Sequence, residues 1–128
     1  LSFSIIIPSY NQSRFITETL KNVSELKKLA ELKSISIQVI LIDNCSDVET
    51  ASKISEFKEI FDHLIIERDK GQYDAINKGI KLVTGSFWTW LNTDDLIDIS
   101  GFFQIVEFLP INGFELQQFH NGIANFFM

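Results

Sequence analysis

Gly85-Ser86-Phe87-Trp88-Thr89-Trp90-Leu91-Asn92-Thr93-Asp94-Asp95 is the stretch on which the fold turns. Residues 85–91 make a β-rich apolar run, long enough for a buried strand. Adjacent carboxylates follow at once. Like charges side by side repel unless a cation or hydrogen-bond donors neutralise them. A hard divalent cation, Mg2+ or Mn2+, held by oxygen and shared with a substrate phosphate, is the usual partner of such a pair. The competing explanation is structural: Asp is a favoured N-cap residue, so Asp94 and Asp95 could simply cap the next helix. The pair alone does not separate the two.

Upstream of it, strand and helix signals alternate. Phe3-Ser4-Ile5-Ile6-Ile7 is a β-branched run expected to stop at Pro8, and Pro8-Ser9-Tyr10-Asn11-Gln12 is turn chemistry. Ser13 is expected to cap a helix whose apolar positions are Ile16, Leu20, Val23, Leu26 and Ala30. Ile35 to Ile42 reads as a second strand, closed by Asp43-Asn44-Cys45-Ser46. Ala51, Ile54, Phe57 and Phe61 mark one side of a second helix. His63 to Glu67 is a short third strand, followed by Arg68-Asp69-Lys70-Gly71. Tyr73, Ile76, Ile80 and Val83 outline the buried face of a third helix, stopped by Thr84-Gly85. Beyond the acidic pair, Ile99, Phe102, Phe103, Val106 and Leu109 stripe a fourth helix that Pro110 ends.

This alternation predicts βαβ units and an α/β fold with a mostly parallel central sheet. Right-handed crossovers then put helices on both faces and gather all strand C-termini at one edge. Open α/β sheets bind ligands at that edge. The segments that follow the strands carry Ser9 and Asn11, Asp43 and Asn44, Asp69 and Lys70, then Asn92, Asp94 and Asp95. Polar groups therefore crowd one rim. The chain has neither a Gly-x-Gly-x-x-Gly nor a P-loop motif, so a phosphate bound there would need a metal for much of its neutralisation.

Composition narrows the classes. A chain of 128 residues, 45% apolar and 22% charged, suits one globular domain and is too apolar for disorder. Its net charge of -6 argues against a general nucleic-acid surface. The lone Cys45 cannot form an internal disulfide and fits a reducing, cytoplasmic setting. No apolar run approaches the roughly 20 residues a spanning helix needs. His63 and His120 have no Cys or His cluster around them, so zinc is not expected. Trp88 and Trp90 share a strand face and are expected to pack in the core. The chain starts at Leu1, at a strand edge and without an initiator Met, and is expected to be a fragment.

Four stretches together resemble the ordered motifs of family-2 glycosyltransferases: Ser4 to Asn11, Val39 to Ser46, Asp69 to Ile80, and Thr84 to Asp95. The resemblance implies the GT-A fold, a Rossmann-like three-layer sandwich. It assigns residues 1–109 to the nucleotide-sugar-binding core and 110–128 to the start of a truncated acceptor-side region. It also implies that Pro8, Ser9 and Tyr10 wrap the base, with Tyr10 offering a ring for stacking. Asp43 would accept a hydrogen bond from the base, commonly uracil, although an Asx turn with Ser46 is its structural alternative. Asp69 and Lys70 would lie beside base and diphosphate. Gly79 would permit close packing of the third helix, and Asn77 would orient the acidic loop.

Asn92-Thr93-Asp94-Asp95 matches the family's metal-binding acidic motif, with Asn92 where the commonest form has Asp. Asp94 is expected near the ribose or metal and Asp95 on the metal. The implied activity is transfer of a sugar from a nucleotide-diphosphate sugar, UDP-linked, to an acceptor hydroxyl, assisted by Mn2+ or Mg2+ and inverting. The acceptor would be a saccharide or lipid-linked saccharide, with the intact protein cytoplasmic or peripheral on the membrane's inner face. Of the acids beyond Asp98, Glu107 and Glu115, neither has the motif context of a general base, and none is assigned. Two other classes remain open: a catalytically silent sugar-nucleotide-binding module, and a flavodoxin-like signalling domain that binds Mg2+.

Overall fold

Strands β1 (Ser2–Ser9) and β2 (Ser36–Asp43) pair in parallel at the centre of a sheet, with β3 (His63–Ile66) outside β2 and β4 (Phe87–Trp90) outside β1. This computed structural model describes residues 1–109; the stretch 110–128, with Glu115 and His120, lies outside the described residues. Ile5, Ile6, Ile7, Val39, Ile40, Leu41 and Ile42 are all buried. Branched side chains fit a pleat covered on both faces, which is why these runs are continuously apolar instead of alternating.

Helices α1 (Ile16–Leu32), α2 (Val48–Glu56) and α4 (Ile99–Val106) belong to one face, where Phe3, Ile5, Ile7, Val39, Leu41 and Phe87 form the larger core. Helix α3 (Gln72–Ile80) covers the other, where Ile6, Ile40, Ile42 and Ala75 cluster. Topology explains the split. The first two crossovers run outward from β1 to β3, whereas α3 must carry the chain back past β1 to β4, and a right-handed return lies on the opposite face. The result is the expected three-layer α/β sandwich. Its order, β3-β2-β1-β4, puts β4 beside β1. A flavodoxin-like sheet would put the third strand there, so that alternative is overturned.

Several local expectations shift. Pro8 does not stop β1, which runs on to Ser9. Ile6 O accepts from Leu91 N on the β4 side and Ser9 O from Asn44 N on the β2 side. Alternation therefore points the Pro8 nitrogen toward β4, whose pairing with β1 stops at Ile6 and Trp90. The missing donor ends one ladder and leaves the strand intact. Ser13 is not a cap: Phe15 holds that position without a side-chain bond, and the Ser13 carbonyl accepts from Lys53 Nζ.

On α2, Thr50 and Ile54 are buried while Ala51 is exposed, and the helix ends at Glu56. Phe57, Ile60 and Phe61 reach the core from around a short 3-10 turn, Lys58–Ile60. On α3 the buried face is Ala75, Ile76 and Gly79, whereas Tyr73 is 80% exposed. Small residues decide that face. A Cβ at Gly79 would sit 2.6 Å from Ile6 Cγ2, so only glycine lets α3 come this close to β1. Trp88 packs against the α3-side cluster as expected, but Trp90 lies at the strand end and is 39% exposed. Among the described residues no helix is long and apolar enough to cross a membrane.

Candidate functional site

The strand order reverses at β1, and the carboxyl ends of β1 and β4 therefore diverge. A cleft of about 390 Å³ opens there, lined by segments that follow all four strands. Pro8 and Ser9 end β1 and Tyr10 and Gln12 follow it, Asn44 follows β2, Asp69, Gly71 and Gln72 follow β3, and Asn92, Thr93 and Asp94 follow β4. Ala75 of α3 supplies part of the floor.

Amide side chains tie these loops into a belt. Asn11, with φ 50°, donates its N–H to Ser46 Oγ and accepts from Asp47 N through Oδ1, joining the first two loops. Asn44 Oδ1 accepts from Asp69 N at 2.9 Å, joining the second and third. Gln72 Nε2 donates to Asn92 Oδ1 at 2.6 Å, joining α3 to the acidic loop. Gly71, with φ 119°, takes a conformation that suits glycine and opens α3 onto the cleft. Helix N-termini carry partial positive charge, and at this end the carboxylates of Asp69 and Asp74 accept from Gly71 N and Lys70 N respectively, each at 2.9 Å.

Placed residue by residue, Pro8, Ser9, Tyr10, Asp69 and Asp94 all line the cleft. Tyr10 is exposed at its mouth. Ser9 is 4% exposed, and among the described residues its Oγ has no hydrogen-bond partner. A buried hydroxyl left without a partner costs stability. Asp43 behaves differently. It is 1% exposed, its Oδ1 accepts from Ser46 Oγ at 2.6 Å and its Oδ2 from Ser46 N at 2.9 Å. Both carboxylate oxygens are thus held by Ser46, a local cap-like arrangement, and the neighbouring Asn44 lines the cleft. Lys70 and Asn77 are exposed and lie outside the lining, and Asp95 is half-buried below it.

The structural explanation of the acidic pair fails. Helix α4 is capped by Asp98, which accepts from Gly101 N at 3.1 Å, so neither Asp94 nor Asp95 serves as its cap. Asp95 N bonds Asn92 O to close a turn, and the Asp94 side chain is exposed at the cleft. Among the described residues no three His, Cys, Asp or Glu converge as a metal cage. The oxygen donors of Asp94 and Asp95 instead fit the kind of cation that takes one or two carboxylates and completes its shell with water and substrate phosphate, as Mg2+ does. Asn44, Gly71, Asn92 and Thr93 line the cleft as members of the polar rim, whereas Gln12, Gln72 and Ala75 line it without having been expected to. For Gln12 and Gln72 the signal was their place soon after a strand, next to residues that were singled out.

A sequence model of the family described as "Glycosyl transferase family 2" matches residues 4–120. A relative named "PGL/p-HBAD biosynthesis glycosyltransferase", from Mycobacterium bovis (strain BCG / Pasteur 1173P2), is 33% identical over 96 residues, 73% of this chain and 35% of that protein. The chain thus spans about a third of the length of the curated relative it matches. S. aureus TarS 1-349, solved in complex with UDP-GlcNAc, has a similar fold at TM-score 0.70 and 22% identity, covering 85% of this chain and 31% of that one. Mannosyltransferase PcManGT from Pyrobaculum calidifontis, solved with GDP-Man and Mn2+, matches at TM-score 0.62 and 24% identity, covering 75% and 28%.

Proposed function

This chain belongs to glycosyl transferase family 2, and from that membership we propose that it is the donor-binding part of an enzyme that transfers a sugar from a nucleotide-diphosphate sugar to an acceptor hydroxyl. The observation that carries the proposal is the cleft at the β1/β4 divergence, lined by Ser9, whose hydroxyl is buried without a partner among the described residues, by the start of α3 and by the exposed Asp94. Tyr10 presents a ring on which a base can stack. Ser9 and Asn44 offer hydrogen bonds to its polar edge or to the ribose. With a net charge of -6 the overall field repels a diphosphate, so local groups must hold it.

Asp94 and Asp95 would hold Mn2+ or Mg2+, which when bound supplies Lewis-acid stabilisation of the charge on the departing nucleoside diphosphate. We read the donor as UDP-linked and the outcome as inversion by direct attack of the acceptor hydroxyl, which requires a general base. Among the described acids Glu107 is exposed at the end of α4, and we assign it no such role. The acceptor in this reading is a saccharide or lipid-linked saccharide, in polysaccharide or glycoconjugate synthesis at the cytoplasmic side of a membrane. The name of the mycobacterial relative and the donors bound to TarS and PcManGT support this reading.

Calorimetry of UDP binding with and without Mn2+ tests it. We expect Mn2+-dependent binding, weakened at least about tenfold in Asp94→Ala, which corresponds to about 1.4 kcal/mol. Failure to bind UDP in the presence of either metal would defeat the donor assignment. Turnover of a labelled UDP-sugar then separates a transferase from a silent binding module.

A further inference from the structure

We propose that Thr19 and Asn22, on one face of α1, are positioning residues that hold the acidic turn against the cleft; the inference rests on the donor-binding reading above. Thr19 is 1% exposed, a polar residue inside the apolar stripe of Ile16, Leu20 and Val23. Its Oγ1 lies 2.8 Å from Thr93 O and 2.8 Å from Asp95 O. A hydroxyl has one proton, so a single donor is shared between two carbonyls of the acidic turn. One helical turn on, Asn22 grips Ile97 at two points. Its Nδ2 donates to Ile97 O at 3.1 Å, and its Oδ1 accepts from Ile97 N at 2.6 Å.

The pattern of grip has a consequence for Asp94. Positions 93, 95 and 97 are bonded inward to α1, while the Asp94 side chain stays exposed at the cleft. Side chains three apart on a helix face the same way, so Thr19 and Asn22 act on the turn together. Packing alone does not call for this. Valine at position 19 would fill the same space, but it would leave both carbonyls without their donor and free the turn to rotate. Asp94 and Asp95 would then have to be ordered by the ligand, and binding would weaken through that cost.

The test compares Thr19→Val, Thr19→Ser and Asn22→Ala in the full chain. Calorimetry reads the Mn2+ concentration that half-saturates UDP binding, and amide hydrogen exchange reads protection at Asp95. In Thr19→Val the Mn2+ midpoint should rise about tenfold and Asp95 should lose protection, with Thr19→Ser close to wild type. Asn22→Ala should shift the midpoint about threefold, and it decides the matter if Thr19→Val does not fold. Folded variants with the wild-type midpoint, or a serine variant no better than valine, would overturn the positioning role. Wild-type protein showing no Mn2+-dependent UDP binding would instead bring down the donor-binding reading itself, and this inference with it.

Discussion

At the amino end of the sheet, Ser4 Oγ donates to Gln38 Oε1 at 2.5 Å and accepts from Gly85 N at 2.9 Å. Gln38 Oε1 also accepts from Thr84 N, and its Nε2 donates to Leu82 O, both at 3.0 Å. At the carboxyl end, Ser9 Oγ is buried without a partner among the described residues, and Asp94 is exposed. Serine and carboxamide side chains occur at both ends of the same strands. At one end they close on each other and fasten the loop that leads into β4. At the other they tie loops together around a cleft and leave the Ser9 hydroxyl without a partner among the described residues. A closed network fixes a chain path; an open one is what a ligand can complete.

The largest effect should come from breaking the closed end. Gln38→Leu removes an acceptor from Ser4 and Thr84 and a donor from Leu82, with Ser4 fully buried. Each orphaned group costs about 1–3 kcal/mol, and a loss of about 3 kcal/mol in all is expected in urea denaturation. UDP affinity of the folded fraction should be unchanged. A stability loss under about 1 kcal/mol would mean that water replaces the network freely, and the amino end would not be closed in the sense used here.

The open end should respond less in stability and more in binding. Gln72→Ala cuts the 2.6 Å bond to Asn92, which lies exposed on the rim. Exposed side-chain bonds contribute little, so a change of about 0.5 kcal/mol is expected. UDP affinity should fall about threefold, because α3 and the acidic loop would no longer be held at a set separation. Unchanged affinity would show that the Gln72–Asn92 tie does not prepare the site.

Much of this contrast was legible in the chain. Alternating strand and helix signals implied the parallel sheet, and the rim residues followed from where strands stop. Gly79 was read as a packing glycine, and Ile6 is what it packs on. Pro8 was misread because whether proline ends a strand depends on which neighbour its nitrogen faces, a property of the partner strand. Ile76 of α3 is buried and Val83 just beyond it packs on the sheet cluster as expected, but Tyr73 and Ile80 are exposed, because the small Ala75 and Gly79 allow a closer approach to the sheet. Asp43 is buried on Ser46 while Asn44 lines the cleft, because a one-residue step at a strand end decides which side chain is buried. The ties from Asn11, Asn44 and Gln72 join segments far apart in sequence, and no local pattern announces them.

The smallest stability effect, and the sharpest probe of the contrast, belongs to Ser9→Ala. Deleting a hydroxyl that bonds nothing among the described residues removes a desolvated polar atom and no interaction seen there, so stability should stay within about 0.5 kcal/mol of wild type or rise slightly. The same change should weaken UDP binding about fivefold, since one neutral hydrogen bond contributes about 1 kcal/mol. Ser4→Ala at the other end should do the reverse, lowering stability and sparing binding, because its oxygen bonds Gln38 and Gly85. Two serines on one strand, five positions apart, would then report opposite quantities. Equal stability losses in the two variants would mean that Ser9 is as fully engaged as Ser4, and the cleft would have no vacant hydroxyl to offer a nucleotide.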